Sequence, residues 1–378
     1  MTSPTETTPT GAPATTPIAK AAAEADIDVT TFSRKPLRKR YPFTPYPNGW
    51  FIIAMSSEVK PGGLKPLRYF GRELVLYRTE SGKPMLVDAV CPHLGGHLAL
   101  GTVMGETIQC PFHNFRYDCS GVCVEAPFAK KIPPAARLKP WPIQEVDGVI
   151  VAFYDRDGND PTWDIPATLG EGFSDPQCQS WDLRTHVIEM AENSVDATHA
   201  VTVHGANAPT ALLSNDERGP VWQVGWRHWW PMKRALAQLN LGAKMNKLPP
   251  GFPEVLEIDY VITFHGLGYI HLAFDLQFVK YQVHYRVCST PIDAETTELR
   301  SISAVRPMEG ASPHIKPMVA GFIKEWTARE LSPDFPIWES KDYLRRPALC
   351  DADGPFGKMR KWAAQFFPEG EGPLPSRA

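Results

Sequence analysis

Two cysteines and two histidines in the first third of the chain have the spacing of a metal or iron–sulfur site. Cys91 and His93 form a C-x-H pair, and Cys110 and His113 form a C-x-x-H pair after a gap of 16 residues. Two thiolates and two imidazoles, offered by two facing loops, suit a [2Fe–2S] cluster in which both cysteines bind one iron and both histidines bind the other. A structural zinc ion accepts the same ligands, although zinc modules usually keep cysteine pairs and histidine pairs apart. The spacing therefore favours the cluster over zinc.

A second group of metal-binding side chains lies about a hundred residues further on. Glu192, Asp196 and His199 are spaced i, i+4 and i+7, and are therefore predicted to share one helical face. His204 follows five residues after His199, a step that turns a helix by about 140°, so both imidazoles can reach one metal only if the helix ends between them. Two histidines and one carboxylate form the facial triad of non-haem Fe(II) oxygenases, which leaves positions open for O₂.

The carboxylate of such a triad must come from a distant part of the chain. Asp196 precedes His199 and is expected to point outward, so the best remote candidate is Asp334. Ser332 and Pro333 have the pattern of a helix N-cap and first helical residue, which places Asp334 in a first turn. An acid there can also simply complement the helix dipole, and single histidines are more often core or surface residues than ligands. Both interpretations remain open on these residues alone.

The elements that must position these groups differ between the two halves of the chain. Short β-branched and aromatic runs at residues 50–54, 73–78, 84–90 and 148–153 are separated by glycine-containing turns. They predict a small antiparallel β module whose loops carry the four cluster ligands.

Longer strands and helices are predicted in the second half. A helix runs from Trp181 to about Ala200, four long strands follow between about Val255 and Val305, and another helix begins near Pro313. Apolar residues of this last helix recur at helical spacing and are expected to face a sheet or a core. They are Ile315, Met318, Val319, Phe322, Ile323 and Trp326.

Composition and charge limit the class of protein. A chain of 378 residues, 43% of them hydrophobic, is long enough for two or three domains with real cores. The net charge of −3 gives no reason to expect a nucleic-acid partner. No apolar run approaches the roughly 18 residues of a membrane span, and no signal-peptide pattern is present. Two of the seven cysteines are proposed ligands, and the other five are typical of reduced thiols in a cytoplasmic protein, with a Cys119–Cys123 bridge as the less favoured alternative. These five are Cys119, Cys123, Cys178, Cys288 and Cys350.

The N-terminal segment has the composition of a disordered tail. Residues 1–36 are dominated by Thr, Ala and Pro, and such a segment cannot bury enough apolar surface to offset its ordering entropy. The basic run from Arg34 to Arg40 is interpreted as a solvated lead-in rather than a docking arm for an acidic partner protein.

The two ligand sets in this order resemble the oxygenase component of Rieske non-haem iron oxygenases. The first set is followed by Glu192-Asn193-x₂-Asp196-x₂-His199-x₄-His204, and the match spans most of the chain after the tail. Within that family the chain is most similar to 3-ketosteroid 9α-hydroxylase oxygenases and the related cholesterol 7-desaturases. This narrower resemblance rests on residues 47–50, 70–75, 91–95 and 334–341.

The resemblance implies an α+β architecture. An N-terminal antiparallel β Rieske [2Fe–2S] domain at residues 37–160 would precede a helix-grip catalytic domain with an antiparallel sheet at residues 161–378. Such subunits would assemble head to tail into a homotrimer.

The resemblance also implies roles for individual residues. His199, His204 and Asp334 would bind a mononuclear Fe(II). Asp196 would bridge a cluster histidine of the neighbouring subunit, His113, to His199 and so carry electrons. Asn193 would lie near the iron without being a regular ligand, and Glu192 would support the site.

The activity implied is that of a terminal monooxygenase. The chain lacks a glycine-rich dinucleotide fingerprint after a strand, so electrons from NADH or NADPH would arrive through a separate flavin-containing ferredoxin reductase, with or without a ferredoxin. Desaturation or other oxidative tailoring is the nearest enzymatic alternative. A Rieske electron-transfer protein with a degenerate mononuclear site is the alternative from another class.

The expected substrate is a bulky, hydrophobic, steroid-like polycyclic compound. Aromatic residues are abundant in the catalytic half, although core packing is expected to account for most of them. They are Trp222, Trp226, Trp229, Trp230, Phe264, Phe274 and Phe278. The irregular segment from Leu236 to Phe252 is expected to cover the mouth of a pocket.

Overall fold

The computed structural model describes residues 35–208, 210–232 and 253–373. Most of the predicted tail at residues 1–36, and the whole predicted pocket cover from Leu236 to Phe252, lie outside these residues. Within the described ranges the chain forms two consecutive halves, each built on antiparallel strands.

Short strands form the first half. In chain order they are β1 (Gly49–Met55), β2 (Leu64–Tyr69), β3 (Arg72–Arg78), β4 (Pro84–Asp88), β5 (Thr102–Met104), β6 (Thr107–Gln109), β7 (Arg116–Tyr117), β8 (Cys123–Glu125), β9 (Ile143–Val146) and β10 (Val149–Tyr154). Their sheets have the orders β1-β10-β9, β2-β3-β4 and β5-β6-β7-β8. One predicted cluster loop joins β4 to β5 and the other joins β6 to β7, as the sequence predicts.

One seven-stranded antiparallel sheet dominates the second half. Its strands are β11 (Gln177–Leu183), β12 (Ala211–Arg218), β13 (Val221–Pro231), β14 (Val255–His265), β15 (Ile270–Leu276), β16 (Tyr281–Pro291) and β17 (Thr297–Pro307). The order is β11-β17-β16-β15-β14-β13-β12. The four strands predicted between Val255 and Val305 are β14 to β17, so the α+β prediction is confirmed. The predicted domain boundary at residue 160 falls in the segment between β10 and β11.

The helices are short apart from one. They are α1 (Leu37–Arg40), α2 (Ile188–Asn193), α3 (His199–Thr202), α4 (Lys316–Leu331), α5 (Phe335–Ser340) and α6 (Phe356–Ala363). Among the described residues, no helix combines the length and the apolar character that crossing a membrane requires.

The predicted helix from Trp181 to Ala200 is wrong in most of its length. Trp181 lies in β11 and pairs with Leu299, and α2 ends at Asn193. Glu192, Asp196 and His199 therefore do not share one continuous helical face. The cause is local: the Asp196 carboxylate accepts hydrogen bonds from the backbone N–H groups of Thr198 and His199, which replaces helical bonding at this point.

The apolar stripe predicted for α4 is only partly correct. Val319, Ile323 and Trp326 are buried against the sheet, whereas Met318 is 66% exposed. The helix rests on β17 and β11 along a face that also includes Ala320 and Thr327, so Met318 lies at the flank of the contact.

Buried ions connect the two halves. Arg286 of β16 is 3.1 Å from the Asp147 carboxylate in the β9–β10 turn, and both side chains are almost completely buried. Arg300 of β17 lies 3.3 Å from the Glu58 carboxylate of the first half. Arg40, predicted as part of a solvated lead-in, is 1% exposed and donates to the backbone carbonyls of residues 184, 338 and 341. These contacts hold the first half against the second half of the chain.

Candidate metal centres

The two loops of the first candidate centre have the same backbone shape. Gly95 N–H donates to the Cys91 carbonyl at 3.0 Å, and Asn114 N–H donates to the Cys110 carbonyl at 3.1 Å. Gly95 has φ 75° and Asn114 has φ 57°, the left-handed region that glycine and asparagine enter most readily. Each loop therefore turns back within four residues and presents its cysteine and its histidine together.

The side chains of these loops are layered from inside to outside. Cys91 and Cys110 are buried, and the rings of His93 and His113 are half-buried with centroids 4.7 Å apart. Burial, together with the neighbouring Cys91, raises the pKa of the Cys110 thiol. This donor set, with buried thiols inside and half-buried imidazoles outside, suits a cluster with inner cysteines and outer histidines.

Three neighbours shape this first centre. The Tyr117 hydroxyl lies 3.1 Å from Cys91 Sγ, and the Phe115 ring stacks on His93 at 4.3 Å with an interplanar angle of 6°. A Cβ on Gly96 would lie 2.9 Å from Cys110 Sγ, so a larger residue there would push the second loop away. None of these three was singled out by ligand spacing.

The remaining cysteines are unbridged. All seven cysteines lie in the described part of the chain, and each is a free thiol there. Cys119 donates to the Glu106 carbonyl and Cys123 to the Glu125 carbonyl.

His199, His204 and Asp334 converge in the second candidate centre. One ligand atom of each lies within 4.8 Å of the others, and His204 Nε2 is 3.3 Å from Asp334 Oδ2. Asp334 is 2% exposed, and its Oδ2 accepts no hydrogen bond from any described residue. A buried carboxylate oxygen without a donor is costly unless a cation lies beside it, so this donor set fits a metal ion.

Two breaks in helical structure produce this convergence. The helix α3 ends at Thr202, and Gly205 at φ 63° turns the chain directly after His204, as the five-residue spacing requires. Asp334 ends a 3₁₀ turn that joins α4 to α5. The predicted N-cap role of Ser332 is wrong, because its hydroxyl donates back to the Arg329 carbonyl at 3.3 Å.

Hydrogen bonding orients the imidazole of His199. Its Nδ1 is 2.8 Å from the Asp196 backbone carbonyl, which can only accept, so Nδ1 carries the hydrogen and Nε2 is left as the ligand atom. Burial opposes charging of the ring, but the hydrogen bond to Asp196 and the nearby Asp334 carboxylate raise the pKa of His199 above its ordinary value.

The Asp196 carboxylate lies at the edge of this centre. Burial alone would raise its pKa, but bonding and attraction to His199 and the backbone amides lower the pKa to about 2. The carboxylate is therefore ionised at neutral pH. It is partly exposed, and it accepts hydrogen bonds from the backbone N–H groups of Thr198 and His199. Asn193 lines the neighbouring cavity.

Contacts from distant parts of the chain hold the segment between α2 and α3. Trp226 Nε1 donates to the Ser194 carbonyl at 3.0 Å, and a Cβ on Gly354 would overlap the Val195 carbonyl oxygen. Arg360 of α6 donates from Nε to the buried Glu192 carboxylate at 2.7 Å. The sequence alone indicates none of these long-range contacts.

A cavity extends from the second centre along one face of the large sheet. Its volume is about 190 Å³, and it is open to solvent. Mostly apolar side chains form its wall, among them Trp226, Trp230, Ile258, Leu272, Phe274 and Trp326. Of the seven aromatic residues noted in this half, Trp222 and Phe264 are packed in the core, as expected for most of them.

Two polar residues missed by the sequence analysis also line this cavity. His228 Nε2 lies 2.9 Å from the Tyr260 hydroxyl. Burial and then the nearness of His199 and His204 lower the pKa of His228 to about 3, so this ring is neutral. Glu330, one helical turn before Asp334, has its Oε2 3.7 Å from His204 Nδ1.

Two family models match consecutive parts of the chain. The Rieske [2Fe-2S] domain matches residues 49–142, and the 3-ketosteroid 9alpha-hydroxylase C-terminal domain matches residues 152–367. The first match covers both cluster loops and the second covers the convergent triad.

Full-length relatives agree with these matches. A cholesterol 7-desaturase from Bombyx mori is 31% identical over 337 residues, which cover 86% of this chain and 70% of that protein. A 3-ketosteroid-9-alpha-monooxygenase oxygenase component from Rhodococcus rhodochrous is 26% identical over 333 residues, which cover 86% of this chain and 83% of the relative.

Solved structures support the fold. Dicamba monooxygenase bound to dicamba has a TM-score of 0.64 at 18% identity, covering 84% of this chain and 96% of that one. NdmA of Pseudomonas putida CBB5 with caffeine has a TM-score of 0.61 at 20% identity, covering 83% and 89%. These structures agree with the fold, and the two consecutive family matches show that the chain belongs to the 3-ketosteroid 9α-hydroxylase family of Rieske oxygenases.

Proposed function

We propose that this chain is a terminal monooxygenase component that uses O₂ and reductase-supplied electrons to hydroxylate a bulky, hydrophobic, steroid-like substrate. The observation that carries this proposal is the convergence of His199, His204 and Asp334 beside a mostly apolar cavity. A pure electron carrier would need neither the triad nor the cavity.

In this proposal each ligand set holds one cofactor. Cys91, Cys110, His93 and His113 would hold the [2Fe–2S] cluster, as the Rieske domain match supports. His199, His204 and Asp334 would hold a mononuclear Fe(II), which when bound supplies the activation of O₂ for C–H oxidation. Asn193 would lie near this iron without being a regular ligand.

The protein itself contributes orientation and exclusion of water. The apolar walls of the cavity would desolvate a polycyclic substrate and leave only the metal-facing end polar. The backbone carbonyl of Asp196 keeps the Nδ1–H of His199 in place, so that Nε2 stays directed at the metal position.

Electrons would reach the second centre through Asp196. Its carboxylate is ionised and partly exposed, and it accepts the N–H groups next to His199. In the first half, His113 is half-buried and its neighbour Phe112 is 60% exposed, so the cluster end offers an apolar surface to another subunit. We propose a head-to-tail homotrimer in which His113 of one subunit approaches Asp196 of the next.

The chain works with a separate reductase, since its relative from Rhodococcus rhodochrous is named the oxygenase component of a monooxygenase. We propose a flavin-containing ferredoxin reductase that takes electrons from NADH or NADPH, with or without an intervening ferredoxin. The unbridged cysteines support a reducing, cytoplasmic setting.

Desaturation is the second candidate outcome. The relative from Bombyx mori is named a cholesterol 7-desaturase, and the same iron site could remove two hydrogens instead of inserting oxygen. Steroid or sterol substrates are favoured in either case, because both groups of relatives carry steroid or sterol names and the cavity wall is mostly apolar.

A product assay with labelled dioxygen tests the proposal. The loaded protein is mixed with a surrogate reductase, a nicotinamide and a panel of steroids and sterols. We expect substrate-dependent O₂ and nicotinamide consumption, three iron atoms per chain, and a product that gains one labelled oxygen atom. A product that loses two hydrogens identifies a desaturase, whereas two irons per chain and no turnover would identify an electron carrier.

A further inference from the structure

The two histidines of the second centre differ in how their outer nitrogen is held. His199 Nδ1 is fixed by the Asp196 carbonyl at 2.8 Å. His204 Nδ1 is buried and makes no hydrogen bond within the described residues. The atom that faces it is Glu330 Oε2, at 3.7 Å.

The chain path places Glu330 well for this contact. It lies in the last turn of α4, four residues before Asp334, and its side chain is 16% exposed and borders the cavity. One helix end thus delivers two carboxylates to opposite edges of one ring, with Asp334 Oδ2 at 3.3 Å from Nε2 and Glu330 Oε2 near Nδ1.

We propose that Glu330 is the positioning carboxylate of His204. Glu330 accepts the hydrogen of His204 Nδ1, which fixes the tautomer with a free Nε2 and sets the rotation of the ring. A carboxylate in this position also makes the imidazole a more basic ligand than a backbone carbonyl does. Glu330 Oε2 is 3.7 Å from His204 Nδ1. Shortening this distance to the ~2.8 Å of a charge-assisted hydrogen bond requires a movement of only about 1 Å, which side-chain rotation can supply.

This inference rests on the proposed function, because it presumes a metal at the triad. It goes further in assigning a different partner to each histidine, a carbonyl to His199 and a carboxylate to His204. A competing role for Glu330 is direct contact with a polar group of the substrate, since its side chain also borders the cavity.

Metal affinity separates the two roles. The chain, loaded with its cluster and stripped of the second metal, is titrated with Fe(II) or Co(II) without substrate, and the Co(II) absorption bands report the ligand field. Glu330→Ala should weaken binding by about 10- to 100-fold. Glu330→Gln keeps an acceptor oxygen and should recover part of that loss.

A matched control comes from the same helix. Glu325→Gln removes a carboxylate that is exposed and bonds only weakly to Gln179, at 3.4 Å, so it should leave metal affinity unchanged. The cluster absorption and the melting temperature should be the same in all variants, and if Glu330→Ala fails to fold, Glu330→Gln still carries the test.

The outcomes distinguish this inference from the proposed function. If the parent chain binds no metal at the triad, the proposed function fails. If the parent binds metal and both Glu330 variants bind it equally well, only the role of Glu330 is overturned. Unchanged affinity with a raised KM for substrate would assign Glu330 to substrate contact instead.

Discussion

The two candidate centres are assembled in opposite ways. The four proposed cluster ligands lie within residues 91–113, on two loops with the same backbone turn that join β4 to β5 and β6 to β7. The triad draws on two regions about 130 residues apart and is held by further contacts from α6. The first centre is therefore a local structure, whereas the second exists only when the whole second half has packed.

This difference predicts how far the effect of a substitution should spread. A local centre can form while the rest of the chain is still loose, so its defects should remain local. A centre built by long-range packing should respond to substitutions far from any ligand. The variants below test that contrast, beginning with the largest expected effect.

Removing one ligand from each centre should show that the two centres load independently. Cys110→Ser should abolish the visible absorption of the cluster and leave binding of the second metal intact. His204→Ala should do the reverse, with a full cluster spectrum and one iron fewer per chain. Both should eliminate turnover, and product formation by either variant would contradict the proposed cooperation of the centres.

Replacing Asp196 should break the link between two intact centres. Asp196→Ala removes the ionised group that accepts the N–H groups of Thr198 and His199. We expect both metal sites to load while turnover falls by orders of magnitude, because the cluster remains reduced after mixing with substrate and O₂. Rapid reoxidation of the cluster at the parental rate would rule out the bridge. Asp216, on the outer strand β12, offers a control as Asp216→Ala.

A methyl group added at Gly354, just before α6, should disturb the second centre and leave the first centre unchanged. In Gly354→Ala the new Cβ overlaps the Val195 carbonyl, so the segment carrying Asp196 must shift, and overpacking of this kind costs about 1–3 kcal/mol. Turnover and second-metal affinity should fall while the cluster spectrum is unchanged. Gly96→Ala is the counterpart: its Cβ meets Cys110 Sγ, and it should reduce cluster loading while sparing the triad.

Mild acid should weaken the second half through its buried histidines. His186 is 2% exposed, and burial lowers its pKa to about 4, so the native state resists a proton that the unfolded chain accepts below about 6.5. Stability from this group is complete above pH 6.5 and declines as the pH falls towards 4, by roughly 2 kcal/mol at pH 5. Urea unfolding at pH 7 and pH 5 measures the loss. His186→Gln should reduce the difference, and an equal difference in both proteins would exclude His186 as its source.

The same contrast explains what could be predicted from the sequence. The four proposed cluster ligands are close in the chain and flanked by glycine and proline, so their spacing alone was enough to propose them. Asp334 was proposed from a helix boundary, and the structure places it beside His199 and His204 although the cap assigned to Ser332 was wrong. The helix predicted from Trp181 to Ala200 was too long for two reasons. Residues 177–183 form β11, which is stabilised by pairing with β17, and the Asp196 carboxylate accepts a hydrogen bond from the backbone N–H of Thr198.

Glu330 could not be recognised in this way. Its spacing from Asp334 becomes meaningful only after α4 and the 3₁₀ turn bring both carboxylates to the ring of His204. Gly354 and Arg360 were missed for the same reason, because no sequence pattern around either residue indicates its contact with residues 192–195. Contacts made by tertiary packing have no local pattern to read.

The bond between Arg360 and Glu192 joins residues 168 positions apart. A ribosome adding about 5–20 residues per second needs roughly 10–30 seconds to travel that distance. Over that interval the segment between α2 and α3 lacks its Arg360 contact. The surroundings of the second centre are therefore completed only when nearly the whole chain has been made, whereas residues 91–113 are synthesised early.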